Sequence, residues 1–398
     1  MTKWGAGQGT SVQGDPRQAV SEAVARAREG LSGQPSVAML MATVDHDAAA
    51  LWAAPRAEVG GAQIVGITSS LCVLGAGEVV SGPEGAVGVM LLEGVPGARV
   101  VAAHAALGAD ARAAGAEAAR ALRERLGGDL PGAVMFFAVP GHEEDLLAGV
   151  AEVLPGVPAF GGSAADNAIS GDWWVFTDEG PLRSAVTLVG FEATIRAGGA
   201  MVAPYKVTGH EAEVTDANDR HLRTLDGQPA GEVLDRWLDG ALSFQLAEGG
   251  NILAQTALRP IGIRRTTDDG EHLVTIHPAQ VHAGDHSVDV FARLRSGDRV
   301  CHLTGSVDGL LEALDTLARN ALKQGNFGPA GPRAGLLIYC AGCSAAVGER
   351  LGQGLREHLA PRLPGVALLG ACTFGEQGHV PGLGNLHQDL TLSLLLLG

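Results

Sequence analysis

Apolar positions along the chain fall into three blocks with the same internal order. The first opens with Asp15-Pro16, an N-cap aspartate and a proline at the first helical position, after which Val20, Val24, Ala27 and Leu31 keep helical spacing. Residues 37–44 are apolar almost throughout, which predicts a strand buried on both faces. A helical stretch at 46–58, a strand running into Gly66-Ile67-Thr68-Ser69-Ser70 and a strand at 87–92 follow. The second block repeats this order with a helix at 109–126, a strand at 134–139, a helix at 143–153, the turn Phe160-Gly161-Gly162-Ser163 and a strand at 185–191. The third has a helix at 307–323, a strand at 336–339, a helix at 345–359, the turn Gly370-Ala371-Cys372-Thr373-Phe374-Gly375-Glu376 and a last strand at 390–397.

Each block reads αβαββ, and the spacing from first strand to turn hydroxyl (Ser69, Ser163 and Thr373) is similar enough for one duplicated unit. The fold class expected is α/β, three αβαββ-like pseudo-repeats with mostly covered sheets, with ligands beyond the carboxyl ends of the strands. Residues 194–305 break the pattern. Alternation in His272-Leu273-Val274-Thr275-Ile276-His277 predicts half-exposed strands, so this segment reads as a β-rich insertion between the second and third units. The organisation expected is an N-terminal tail and helix (1–34), an α/β domain (35–200), and a second domain (201–398) made of that insertion and the third unit, 306–398.

Composition narrows the function classes. With 46% hydrophobic and 18% charged residues, the 398-residue chain has ample material for a core. A net charge of −16 and only 4% aromatic residues exclude a nucleic-acid binder, which needs a basic stripe. The N-terminus lacks an apolar targeting region, and the longest late apolar run, 390–397, is too short to span a bilayer. Five unevenly spaced cysteines fit free thiols, so a cytoplasmic protein without membrane insertion is expected.

Taken together, several motifs resemble the FIST family (F-box and intracellular signal transduction), with its paired FIST N and FIST C regions. In the N half these are 63–70, Phe160-Gly161-Gly162-Ser163-Ala164-Ala165-Asp166-Asn167 and the strand 186–191; in the C half, Leu225-Asp226-Gly227-Gln228-Pro229-Ala230, 338–343, Phe374-Gly375-Glu376 and 387–392. The resemblance covers nearly the whole chain after residue 35. It implies a bacterial small-ligand sensor, with amino acids as ligands and output through kinases, cyclases or chemotaxis-type partners; some relatives resemble haem-based nitric-oxide sensors. The sequence departs from the family where Ser70-Leu71-Cys72-Val73 replaces an Ala-Gly-Glu-like run, and no output domain accompanies the pair. Signalling through a partner such as a histidine kinase or cyclase is therefore expected.

The residues themselves suggest where a ligand sits. Gly161 and Gly162 permit close backbone approach, Ser163, Asp166 and Asn167 supply short polar groups, and an anion cradle with Asp166 free for an ammonium is one reading; a capped turn is the other. Thr373, Gly375 and Glu376 occupy the parallel turn, and Arg259 and Arg264 could clamp a carboxylate. The main reading is a binding protein for a small polar metabolite, an amino acid or small carboxylate, with no cofactor and no metal.

Haem is the alternative cofactor, with His46, His104, His142, His379 or His387 as axial ligand. A hydrolase using Ser163 or a loop cysteine (Cys343, Cys372) is a further alternative, although Gly161 to Ala165 lacks the last glycine of a G-x-S-x-G elbow. Cys340 and Cys343 have C-x-x-C spacing without a second pair to complete a zinc site.

Overall fold

The computed structural model describes residues 4–267 and 270–398. Three six-stranded sheets have the same strand order, assembled from the three units in turn. The first runs Gly5–Ser11, Val87–Glu93, Val37–Ala42, Gln63–Thr68; the second Val100–Ala106, Ala185–Glu192, Pro131–Ala138, Ala159–Ser163; the third Ala197–Val202, Leu392–Leu397, Ala334–Cys340, Ala367–Thr373. In each, the central two strands are parallel and the outer ones antiparallel.

The last two strands of every sheet come from another unit. Val175–Thr177 and Gly180–Leu182 of the second unit complete the first sheet. Glu376–Val380 and Gly384–Gln388 of the third complete the second. Val73–Gly75 and Val79–Val80 of the first complete the third. The exchange closes into a cycle. Segment 1–34, read from sequence as a tail and helix, contains an edge strand of the first sheet, Gly5–Ser11.

Alternation along the strands explains the layers. Met39, Val65 and Ile67, with Met135, Phe137 and Phe160 and with Ile338, Leu369 and Leu395, form one core shared by the inner faces of all three sheets. The outer faces carry helices, because every second residue of these strands is also apolar. Pro16–Arg28 lays Ala19, Val20, Ala23 and Val24 against Leu40 and Ile64, and Asp15 caps it by accepting from the N–H groups of Arg17 and Gln18, as its sequence predicts. Val307–Gly325 covers Leu337, Leu394 and Leu396 with Leu310, Leu314 and Leu317, starts at an N-cap Ser306 and ends at Asn326 in the left-handed conformation.

Three glycines fix the register between units. A Cβ at Gly66 would lie 1.8 Å from Leu40 O, at Gly161 1.7 Å from Phe136 O and at Gly370 2.4 Å from Leu337 O, so only glycine fits at this step of each parallel pair. Two residues on, Thr68, Ser163 and Cys372 are equivalent. The hydroxyl-based alignment of Ser69 and Thr373 with Ser163 is therefore out by one residue. Backbone bonds link the three turns in a ring: Ser70 N–H donates to Cys372 O (2.9 Å), Ala165 N–H to Thr68 O (2.9 Å) and Phe374 N–H to Ser163 O (3.2 Å).

The β-rich insertion spans Lys206–Asn218 to Arg299–Thr304, leaving the third unit after Ala197–Val202 and returning at Val307–Gly325. Its boundary lies later than the expected residue 194, since Ala197–Val202 pairs with Leu392–Leu397. A nine-stranded sheet with its own core, including Val214, Leu222, Leu234, Ile263 and Val300, holds it together. Among the described residues no helix is long and apolar enough to cross a membrane.

Candidate functional site

Where the insertion meets the ring of turns lies a cavity of about 590 Å³. The first and second units contribute Ser70, Leu71, Asn167, Ile169 and Trp173; the third gives Cys340, Ala346, Thr373, Phe374 and Asp389; the insertion gives Arg220, Leu253, His277 and Phe291. Most of its wall is apolar. Leu71 and Ile169, both at positive φ, stand exposed at 61% and 50% on loops that line it.

Beside Arg220 and Asp389 the wall rests on a buried charged network. Glu143 and Glu144 open the helix Glu143–Val153 and both accept from Arg220 Nη2, each at 2.7 Å. Ser163 Oγ donates to Glu143 Oε1 at 2.8 Å and accepts from Gln377 Nε2 at 3.1 Å. His387 Nδ1 lies 3.2 Å from Glu144 Oε1, and its Nε2 lies 3.6 Å from Asp389 Oδ1. Asp389 Oδ2 accepts the N–H of His277 at 3.0 Å.

Burial opposes a charge on His387, but Glu143, Glu144 and Asp389 outweigh it and lift the imidazole to about 9, so it is an imidazolium at neutral pH. Burial pushes Asp389 up to about 6 against the pull of His387, the His277 N–H and Arg220. For Glu144, burial is overcome by His387 and Arg220, which hold it far below the carboxylate range. His277, wholly buried, is pushed down to about 4 and is neutral. The network thus sets one arginine and one imidazolium against the side chains of Glu143 and Glu144, with Asp389 titrating at the cavity wall.

Of the residues expected at a ligand site, Asp166, Asn167, Thr373 and Gly375 do line the cavity. Their roles differ from the expected ones. Asp166 accepts four backbone N–H groups, from Ala168, Ser170, Gly171 and Asp172, and the Ser170 hydroxyl. Burial raises its pKa, but those N–H groups bring it below the usual carboxylate value, so it organises the loop it begins. Asn167 bridges units, accepting from Leu71 N–H at 2.7 Å and donating to Asp45.

Gly161 and Gly162 are buried strand residues without positive φ, paired with Gln377 and Glu376, so they form no anion cradle. Ser163 lies behind the cavity wall. Glu376 occupies the position held by Val73 and Val175 in the other two hairpins. Burial, with Cys340 and Asp389 nearby, pushes its carboxyl well up, and it meets Thr373 Oγ1 at 2.9 Å and Thr391, with no ion-pair partner among the described residues.

Arg259 and Arg264 are elsewhere. Arg259 pairs with Asp239, and Arg264 with Glu211 and Glu271 on the surface of the insertion. The cavity's guanidinium is Arg220, in the turn Asp219-Arg220 ahead of the strand His221–Leu225; no motif or spacing marks it.

The expected nucleophiles are not loop residues. Cys343 lies in the helix Ala341–Val347 and Cys372 in a strand, both fully buried. Cys340 reaches the cavity, but neighbouring Cys343 and burial push its thiol well up, as Cys72 and burial do for Cys372. All five cysteines are free and buried.

The five histidines considered for haem do not line the cavity: His387 is held by Glu143 and Glu144, His379 meets Asn385 at 2.9 Å, His104 faces Glu179, His142 sits exposed just before a helix without a capping bond from its side chain, and His46 is buried. His277 does line it, with its Nε2 3.2 Å from Leu253 O. These residues do not fit an axial haem ligand set as the sequence proposed it.

Comparison with known proteins gives two family matches. A model described as the FIST N domain matches residues 36–228, and one described as the FIST C domain matches residues 230–379. No curated protein matches in sequence. A solved structure of a cyanuric acid hydrolase, described as an evolutionary innovation by structural concatenation, is similar over 100% of both chains at 9% identity with a TM-score of 0.35.

Proposed function

The chain belongs to the FIST family, whose domains are associated with small-ligand sensing in signal transduction, and on that premise we propose that the cavity is the sensory site. The observation that carries this reading is the cavity's composition from both halves: one ligand would touch the N-half loops, the third unit and the insertion together. Binding would then favour one relative arrangement of these parts, and a partner such as a kinase or cyclase would read the shift.

The ligand we propose is an amino acid or similar small molecule with an apolar body. The body would lie against Trp173, Phe374, Leu253 and Phe291, and the polar end would meet Asp389, Arg220 and Thr373. This moves the ligand away from a small carboxylate, because a mostly apolar wall gives little to a compound without apolar surface. We place the protein in the cytoplasm, on its five free cysteines.

The reading favours a binding protein over a hydrolase, supported by a Ser163 hydroxyl that is buried and already donating to Glu143. The test is a thermal-shift screen of amino acids, followed by titration of Trp173 fluorescence. A melting rise that grows with concentration, strongest for apolar amino acids and matched by a Trp173 change, supports it. A response to small carboxylates alone, or turnover of a substrate, overturns it.

A further inference from the structure

We propose that His221, His282 and Asp289, on the surface of the insertion, form a binding site for a first-row divalent metal, with zinc the ion that best matches their donors. His221 and Asp289 are direct partners across the antiparallel pairing of His221–Leu225 with Val288–Val290. His282 immediately follows Pro278–Val281, which pairs with Asp289's other side. His221 Nδ1 lies 2.7 Å from Asp289 Oδ1 and His282 Nε2 lies 2.8 Å from Oδ2. The two rings sit 5.3 Å apart at 66°, and one donor atom from each of the three residues falls within 4.8 Å of the others.

The backbone that carries these groups is held by local bonds. His282 N–H donates to Ser287 O (3.0 Å), His286 N–H to His282 O (2.8 Å) and Val290 N–H to Arg220 O (2.9 Å). Closing the three donors on one ion therefore asks for side-chain movement only. Two imidazole nitrogens, borderline donors, with one hard carboxylate oxygen form a set that zinc accepts, and three protein ligands leave a position open. Binding through His221 Nδ1 and His282 Nε2 leaves each ring's proton on its other nitrogen, and the ion replaces the protons that now bridge to Asp289. All three side chains are partly exposed, so the ion has an entry path.

The other group of this kind, Glu143, Glu144 and His387, differs in one respect. There the Arg220 guanidinium already bridges both carboxylates and supplies the positive charge. At His221, His282 and Asp289 no arginine or lysine is paired with the carboxylate among the described residues.

The experiment is titration of the chelator-stripped full chain with Zn²⁺ by calorimetry, alongside His221→Ala, His282→Ala, Asp289→Asn and a control, His358→Gln. One ion per chain is expected, with affinity weakened at least about tenfold in each site variant and unchanged in the control. The zinc-dependent rise in melting temperature should vanish with it. His282→Ala, in a turn, keeps the metal-free melting temperature and so separates ligation from folding. No saturable binding, or binding that the site variants retain undiminished, overturns the proposal.

Discussion

Ser163 Oγ sits 2.8 Å from Glu143 Oε1, and this one bond ties the end of a strand to the first residue of the helix Glu143–Val153. Both groups are fully buried, so the hydroxyl serves the carboxylate as a donor. Ser163→Ala should cost about 1–3 kcal/mol in denaturant unfolding, because the glutamate loses a partner that water cannot replace. A serine-directed electrophile should leave the wild type unlabelled. Labelling at Ser163 would restore the hydrolase reading.

Arg220 pairs with Glu143, which is fully buried, and with Glu144, which is about a quarter exposed. Arg220→Met should destabilise by about 3–5 kcal/mol, since it strands two carboxylates. Adding Glu143→Gln to that variant should recover part of the loss. A double-mutant cycle measures the recovery, and strict additivity would sink the coupling.

His387 gives the fold a pH dependence with a definite sign. Its pKa rises from 6.5 to about 9 on folding, so its stabilisation is complete below pH 6.5 and disappears as pH climbs through about 9. The stability gap between wild type and His387→Asn should shrink over that window by up to about 3 kcal/mol. His277 acts in the opposite direction: pushed down to about 4, it favours the fold above pH 6.5 and loses that contribution as pH falls through about 4.

Asp166 and Glu376 separate two kinds of buried carboxylate. Asp166→Ala should unfold the 166–172 loop and lower stability by about 1–3 kcal/mol, because four backbone N–H groups lose their acceptor. Glu376→Gln should be nearly neutral, since burial disfavours the charged carboxyl and an amide can keep the bonds to Thr373 and Thr391. Thermal melts of the metal-free, ligand-free protein check both.

Ala346 lines the cavity, and a larger side chain there takes space from a ligand. Ala346→Phe should abolish the ligand-induced melting rise while shifting the ligand-free melting temperature by only a few degrees. An unaltered ligand response would place binding elsewhere.

Periodicity made much of this architecture legible. The Asp15-Pro16 cap, the doubly apolar strands and the threefold repetition all follow from local residue choice. The register between repeats did not, because Ser69 and Thr373 are more conspicuous than Thr68 and Cys372. Only the carbonyl clash at Gly66, Gly161 and Gly370 decides it. Arg220 was invisible for a similar reason: its role depends on a glutamate pair that in sequence looks like ordinary first-turn acids. Hairpin exchange between sheets leaves no periodic trace, and it is what brings Gly375 beside His387 and Glu143.

That exchange also bears on how the protein can be cut. A fragment ending near residue 200 lacks the Glu376–Val380 hairpin that finishes its second sheet, and the complementary fragment lacks Val73–Val80. Each piece would carry a bare, apolar sheet edge of the kind that sticks to others. The two halves are therefore expected to be soluble when made together and insoluble when made apart, so a split reporter built from them would need both pieces in one cell.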